Sequence, residues 1–286
     1  MKKDTEESIV RINVFCPDEA LNYGLPEWSL QTRPDQENVG EQFPIAIATG
    51  LRKAFDRVGV HRAYAPKIIP KGVEIIDARA LKMQINLGAG RFLYRSCPVS
   101  ADAVKAGGMF LDKGCTLIMN TNDFPIVVAT AKEHMIIAHA TCDSLIDREG
   151  VATRRPTRRH SSIVHAIVEA FIEKKITPRE IEMHMLFSIP KEKCKYALNN
   201  SGLAEFISNW CPEGVEKRKE GIFLDLEKIF LSQAHMMGIG IQNIHIRNPI
   251  VNHPAISHAF DGKKNPSIDG RETKRKNLVV IKRYAA

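Results

Sequence analysis

Apolar and polar positions divide the chain into a polar opening and a body of short strands and longer helices. Residues 31–43 (QTRPDQENVGEQF) are polar and read as a loop. Over residues 44–58, Ile47, Leu51, Phe55 and Val58 fall on one helical face, and Gly59 stands where such a helix stops. Residues 115–119, 125–131 and 135–140 are short β-rich runs, with Lys132-Glu133-His134 as the hairpin turn between the last two. Helical spacing returns over residues 160–174, through Ile163, Ile167 and Phe171. It returns again over 224–237, through Leu226, Phe230, Ala234 and Met237, with Gly238 at the C-terminal end. Residues 181–189 and 278–281 read as strands. Hairpin-linked strands with a few long helices between them predict an α+β fold rather than a doubly wound parallel sheet. There is no internal repeat and no convincing linker, so one domain over residues 1–286 is expected.

Composition adds bounds rather than detail. Apolar residues make up 44% and charged residues 26%, the balance of a soluble globular protein. The longest uncharged apolar stretches, such as residues 124–131, fall far short of the ~18 that a membrane helix needs. The opening Met-Lys-Lys-Asp-Thr-Glu-Glu lacks the apolar segment of a signal peptide, so a cytoplasmic location is expected. Cys16, Cys97, Cys115, Cys142, Cys194 and Cys211 form no CxxC pair, and reduced, mostly buried thiols are expected. The net charge of +8 is concentrated. Residues 148–159 carry five arginines against Glu149, and residues 262–283 carry eight Lys/Arg against Asp269 and Glu272. Such patches suit phosphate-bearing ligands, but they also serve simply as solvated loops. Nucleic-acid binding through these patches is a second alternative function, but residues 262–283 contain no aromatic residue for base stacking, which makes nucleic acid the less expected partner.

Familiar catalytic patterns are absent: there is no Walker loop, GxGxxG, GxSxG or HExxH, and Gly88-Ala89-Gly90 is too short for a nucleotide fingerprint. The informative region is Asn120-Thr121-Asn122-Asp123-Phe124-Pro125-Ile126, followed by Ile137-Ala138-His139-Ala140. A polar turn enters one apolar strand, and a hairpin returns along another that ends in histidine. That arrangement can bring Asp123 and His139 to one end of a sheet, where a carboxylate and an imidazole form a recurring acid–base unit. By themselves, an Asp in a turn and a partly buried His are ordinary.

These segments resemble the laccase-domain, or polyphenol-oxidase-like, family of purine nucleoside phosphorylases. Its members carry Thr-Ala-Asp-Cys-x-Pro-Val, a hairpin, and then Ala-Ala-His-Ala-Gly-Trp-Arg-Gly. The resemblance continues through Thr177-Pro178-Arg179-Glu180-Ile181, Ile189-Pro190 with Cys194-Lys195-Tyr196, and Leu224-Asp225-Leu226 with Met237-Gly238-Ile239. It ends with Ile256-Ser257-His258-Ala259-Phe260-Asp261 and Gly270-Arg271, so that it covers about residues 40–283. The resemblance implies packed, largely antiparallel sheets flanked by helices, and phosphate-dependent cleavage of purine nucleosides at a zinc held by His, Cys and His.

The departures fall on the ligands. Aligned on Pro125, Asp123 stands at the family's cysteine and Asn122 at its aspartate, while His139 keeps the second histidine. The first histidine becomes Asn86 if Gln84-Ile85-Asn86-Leu87 is matched, or Lys71 if Ile69-Pro70-Lys71-Gly72 is. Asp143 or Ser144 replaces the arginine of Trp-Arg-Gly. An incomplete set of this kind holds zinc poorly, so no cofactor is expected. Cys142, on a continued strand, would point away from His139. The resemblance assigns His139 and Asp123 to catalysis, and Arg271, His258, Asn122 and Asn86 to nucleoside or phosphate. It leaves open whether the chain is a divergent enzyme or a non-catalytic paralogue with a binding or regulatory role.

Overall fold

Residues 108–111, 126–131 and 135–139 are buried at nearly every position rather than at alternate ones, because both faces of the strands they form are covered. The structure is a computed structural model. It describes residues 10–15, 45–68, 72–95, 105–112, 114–121, 125–146, 151, 162–247, 264–266, 272–274 and 277–283. Two six-stranded sheets dominate it. Their strands in chain order are β1 (Val10–Phe15), β2 (Arg62–Ala65), β3 (Ile75–Asp77), β4 (Met83–Gly88), β5 (Arg91–Arg95), β6 (Gly108–Leu111) and β7 (Thr116–Thr121). They continue with β8 (Ile126–Ala131), β9 (His134–His139), β10 (Glu182–Leu186), β11 (Ile244–Arg247) and β12 (Asn277–Arg283). The first sheet runs β1-β12-β7-β2-β5-β4, the second β11-β10-β8-β9-β6-β3. Pairing is mostly antiparallel, with parallel contacts at β2–β5, β2–β7, β3–β6 and β10–β11.

The two sheets face each other across a shared core. Leu117 and Met119 of β7 and Ile281 of β12 meet Met109, Leu111, Ile126, Val128, Met135 and Ile137 of the second sheet. On its outer face the second sheet turns Val127, Ala129, Ile136, Ala138, Met183 and Met185 toward helices. Those helices are α2 (Cys142–Leu145), α3 (Ile163–Glu173), α4 (Ser201–Ser208) and α5 (Leu226–Met236), preceded in the chain by α1 (Ile45–Val58). Helix α1 covers the other face of the first sheet, packing Leu51, Ala54 and Phe55 on Ala63, Ile85, Leu87 and Leu93. The order of layers is therefore helix, sheet, sheet, helices. Each fully buried Ile, Val or Leu in these layers contributes about 1.5–3 kcal/mol of transfer free energy. The α+β arrangement of packed sheets flanked by helices is the one expected.

Boundaries differ from the periodicity for local reasons. The hairpin turn is Lys132-Glu133, with Lys132 at φ +51°, and His134 already pairs with Ala131 as a strand residue. The strand expected over 181–189 stops at Leu186, because Phe187 takes φ +59°. Leu224 is not helical: it ends the strand Gly221–Leu224, and Asp225 caps α5 by accepting the Lys228 N–H at 3.2 Å. The final strand is longer than expected and runs from Asn277 to Arg283. Cys142 corrects a premise: the strand ends at His139 and Cys142 begins α2 behind the Thr141 cap, so strand alternation does not decide its direction. It packs against the helix-side core instead. Gly88-Ala89-Gly90 forms the turn of the β4–β5 hairpin, all three residues at positive φ. Cys115, Cys142, Cys194 and Cys211 form no disulfide. Among the described residues no helix is long and apolar enough to cross a membrane.

Helix α1 ends in a Schellman motif, with Gly59 N–H donating to the Asp56 carbonyl at 3.3 Å and Val60 N–H to that of Phe55 at 2.8 Å. Gly59 sits at φ +64° with open space where a Cβ would be. Helix α3 closes the same way, but with Lys175 at φ +58°. Gly59→Ala should therefore cost about 1–2 kcal/mol through backbone strain alone, whereas Lys175→Gly should gain up to about 1 kcal/mol. Urea unfolding of both variants checks the opposite signs.

Candidate functional site

His139 is the last residue of β9, opposite Ile126 of β8. Alternation places it on the face that carries Met135 and Ile137, toward the first sheet. Its surroundings are dry: the residue is 7% exposed, and burial pushes its pKa down to about 4. At neutral pH the ring is thus an uncharged imidazole, suited to coordination or hydrogen bonding and a weak base.

The peptide around His139 is fixed from three directions. Its N–H donates to the Gly107 carbonyl at 2.9 Å, and the next N–H, of Ala140, donates to Pro125 at 2.8 Å. Its carbonyl accepts the hydroxyl of Ser144 at 3.0 Å, while Thr141 Oγ1 accepts the Ser144 N–H at 3.0 Å. Ser144 is fully buried. Gln233 of α5 donates to the Leu145 carbonyl and so holds the far end of α2. The pair Thr141 and Ser144 is absent from the expected site. A Thr three residues before a Ser, just after a strand, was the available signal, since that spacing makes a helix cap.

Of the expected site residues, Asn122, Asp123, His258, Arg271 and Lys71 lie outside the described residues. So does the basic stretch 148–159, apart from Val151. Pro125, where the chain enters the second sheet, is bonded to the residue after His139. Gly72, which follows Lys71, packs so tightly on Gly107 that a Cβ there would collide with the Gly72 carbonyl. Gly72 thus lies against Gly107, whose carbonyl accepts the His139 N–H. Asn86 stands exposed on β4, the edge strand of the other sheet, and its side-chain oxygen accepts the Gly88 N–H at 2.8 Å. Sequence reasoning gives no sign either of Glu182, His184 and His245, which register alone brings together across β10 and β11.

Among the described residues, neither Asn86 nor Cys142 is placed to share a metal ion with His139. Asn86 spends its oxygen on its own turn, and Cys142 packs in the helix-side core rather than between the sheets.

No protein-family model and no curated protein matches the chain. Solved structures do, and they define the fold. YlmD from Geobacillus stearothermophilus matches with a TM-score of 0.58 at 14% identity, over 98% of this chain and 93% of that one. The hypothetical protein YfiH from Bacillus licheniformis matches with 0.54 at 16% identity, over 83% and 80%. Neisseria meningitidis protein NMB0706, of DUF152, matches with 0.52 at 15% identity, over 87% and 85%. These neighbours belong to the YfiH, or laccase-domain, group. At such identities the likeness is one of fold.

Two outcomes follow from the geometry. His139 is neutral when folded and takes a proton at ~6.5 when unfolded, so below that pH the unfolded chain binds the extra proton. The contribution to stability is complete above pH ~6.5 and falls as pH drops toward 4, by on the order of 3 kcal/mol. Denaturant melts from pH 7.5 to 4 should show this loss, and His139→Gln should flatten it. Ser144→Ala keeps the N–H that Thr141 caps but leaves the His139 carbonyl without the Ser144 hydroxyl, and should cost about 1–2 kcal/mol by the same measurement.

Proposed function

We propose that the chain is a divergent, single-domain relative of the laccase-domain family that binds purine nucleosides without the family's zinc. The observation that carries this proposal is His139: the one imidazole retained from the family's ligand set is buried, neutral and locked at the end of β9. It adjoins Pro125, two residues after the position of Asp123. Arg271, His258 and Asn122 are the family-matched positions for the sugar and phosphate, and Asp123 supplies the orienting carboxylate.

The same observation favours binding over turnover. A general acid–base works best with a pKa near the operating pH, where it is worth about 10²–10⁴-fold. An imidazole held down at about 4 is almost never protonated at pH 7 and has little basicity to offer. A non-catalytic relative with a nucleoside-binding or regulatory role accords with that, and slow phosphorolysis is the upper limit of its activity.

Calorimetric titration with inosine and adenosine, run beside a phosphorolysis assay with orthophosphate, tests the proposal. Binding should be measurable and should weaken by about 10-fold in His139→Ala, with little or no release of free base. Absence of binding to either nucleoside removes the proposal. Zinc and turnover that both vanish in His139→Ala would show instead a working metal enzyme.

A further inference from the structure

Two parallel strands at the edge of the second sheet bring three metal-ligating side chains together, away from His139. On β10, Glu182 and His184 are two residues apart and so share a face. On β11, the edge strand, His245 lies directly in register with His184. Both histidines are turned away from the helix side, which their neighbours Met183, Met185, Ile244 and Ile246 occupy. The two rings stack with centroids 4.6 Å apart and planes at 18°. The same carboxylate oxygen, Glu182 Oε1, lies 3.2 Å from His184 Nε2 and 3.1 Å from His245 Nε2. All three donor atoms fall within 4.8 Å of one another.

We propose that Glu182, His184 and His245 form a binding site for a divalent transition-metal ion of the zinc class. Ligands bonded at ~2.0–2.2 Å around a tetrahedral ion stand about 3.3 Å apart, so the two O–N separations already match a first coordination sphere. Small rotations of the rings bring the nitrogens into place. Two imidazoles and one carboxylate form a borderline donor set that suits Zn²⁺ and its neighbours, whereas Mg²⁺ and Ca²⁺ require mostly oxygen. The site is reachable, with side-chain exposures of 51% for Glu182, 22% for His184 and 30% for His245. Three protein ligands leave a fourth position to water.

The ion clips the edge strand β11 to β10. That contact is a parallel pair, whose chain connection, residues 187–243, passes through α4 and α5 before returning. The site does not depend on the proposed nucleoside function. His139 is on β9, and β8 separates that strand from β10.

The test is titration of metal-stripped full-length protein with Zn²⁺ against a chromophoric chelator, repeated with Co²⁺ to read the visible bands of a tetrahedral ion. Thermal melts run alongside. The expected result is one ion per chain, an absorbing Co²⁺ adduct, and a melting temperature raised by about 5 °C when zinc is ~100-fold above its dissociation constant. His184→Ala and His245→Ala should weaken binding by more than the ~10–100-fold that an outer-shell partner is worth, and His139→Ala should leave it unchanged. The near-isosteric Glu182→Gln guards against misfolding and should lower affinity while leaving the zinc-free melt within about 1 °C. No saturable binding, or binding that survives all three substitutions, overturns the proposal. So does zinc lost in His139→Ala alone.

Discussion

Burial of the second sheet on both faces is the constraint from which the other features follow. Strands β8 and β9 lie between a sheet on one side and helices on the other, so every side chain along them except Thr130 and His134 is buried. Their residues are consequently apolar at successive positions, and the backbone comes close where glycine allows it. Gly108 sits against Ala138 and Ile75, and Gly107 against Gly72, at distances no side chain would tolerate. A histidine at the end of such a strand is dehydrated by construction, and the depressed pKa of His139 expresses that position rather than a charged neighbour.

The polar groups that this layer does enclose are tied to backbone. Ser144, fully buried, closes onto the His139 carbonyl, and Gln233 closes onto that of Leu145. Each bond contributes only about 1 kcal/mol net, but leaving either group unpaired would cost more. A buried serine thus fixes the strand end to the first turn of α2. The exposed edge of the sheet behaves differently. Glu182, His184 and His245 keep access to water there.

Part of the fold was legible in the chain, while β1–β6, β11 and α4 were not. Helix α1 showed its apolar stripe and its glycine stop, and β8 and β9 showed as paired apolar runs around Lys132-Glu133. Leu-Asp-Leu was harder to parse, because a strand end, a cap and a helix start occupy three consecutive residues. Which face of β8 met which layer was not readable, since burial on both faces erases the alternation that periodicity detects. For the site, the hairpin pattern singled out His139 and the resemblance gave it a role, but its neutral state required the packing. The partnership of His184 with His245 joins residues 61 positions apart and depends on strand register, for which no local signal exists.

Native-state hydrogen exchange of the β8 and β9 amides tests the central claim most directly, because a doubly covered strand pair can exchange only when the molecule unfolds. The amides of His139 and Ala140, bonded to Gly107 and Pro125, should exchange as slowly as those of Val128 and Ile137, at the rate set by global unfolding. Rapid exchange at His139 and Ala140 alone would describe a frayed strand end open to water. That result would contradict both the fixed position and the neutral, buried state of the imidazole.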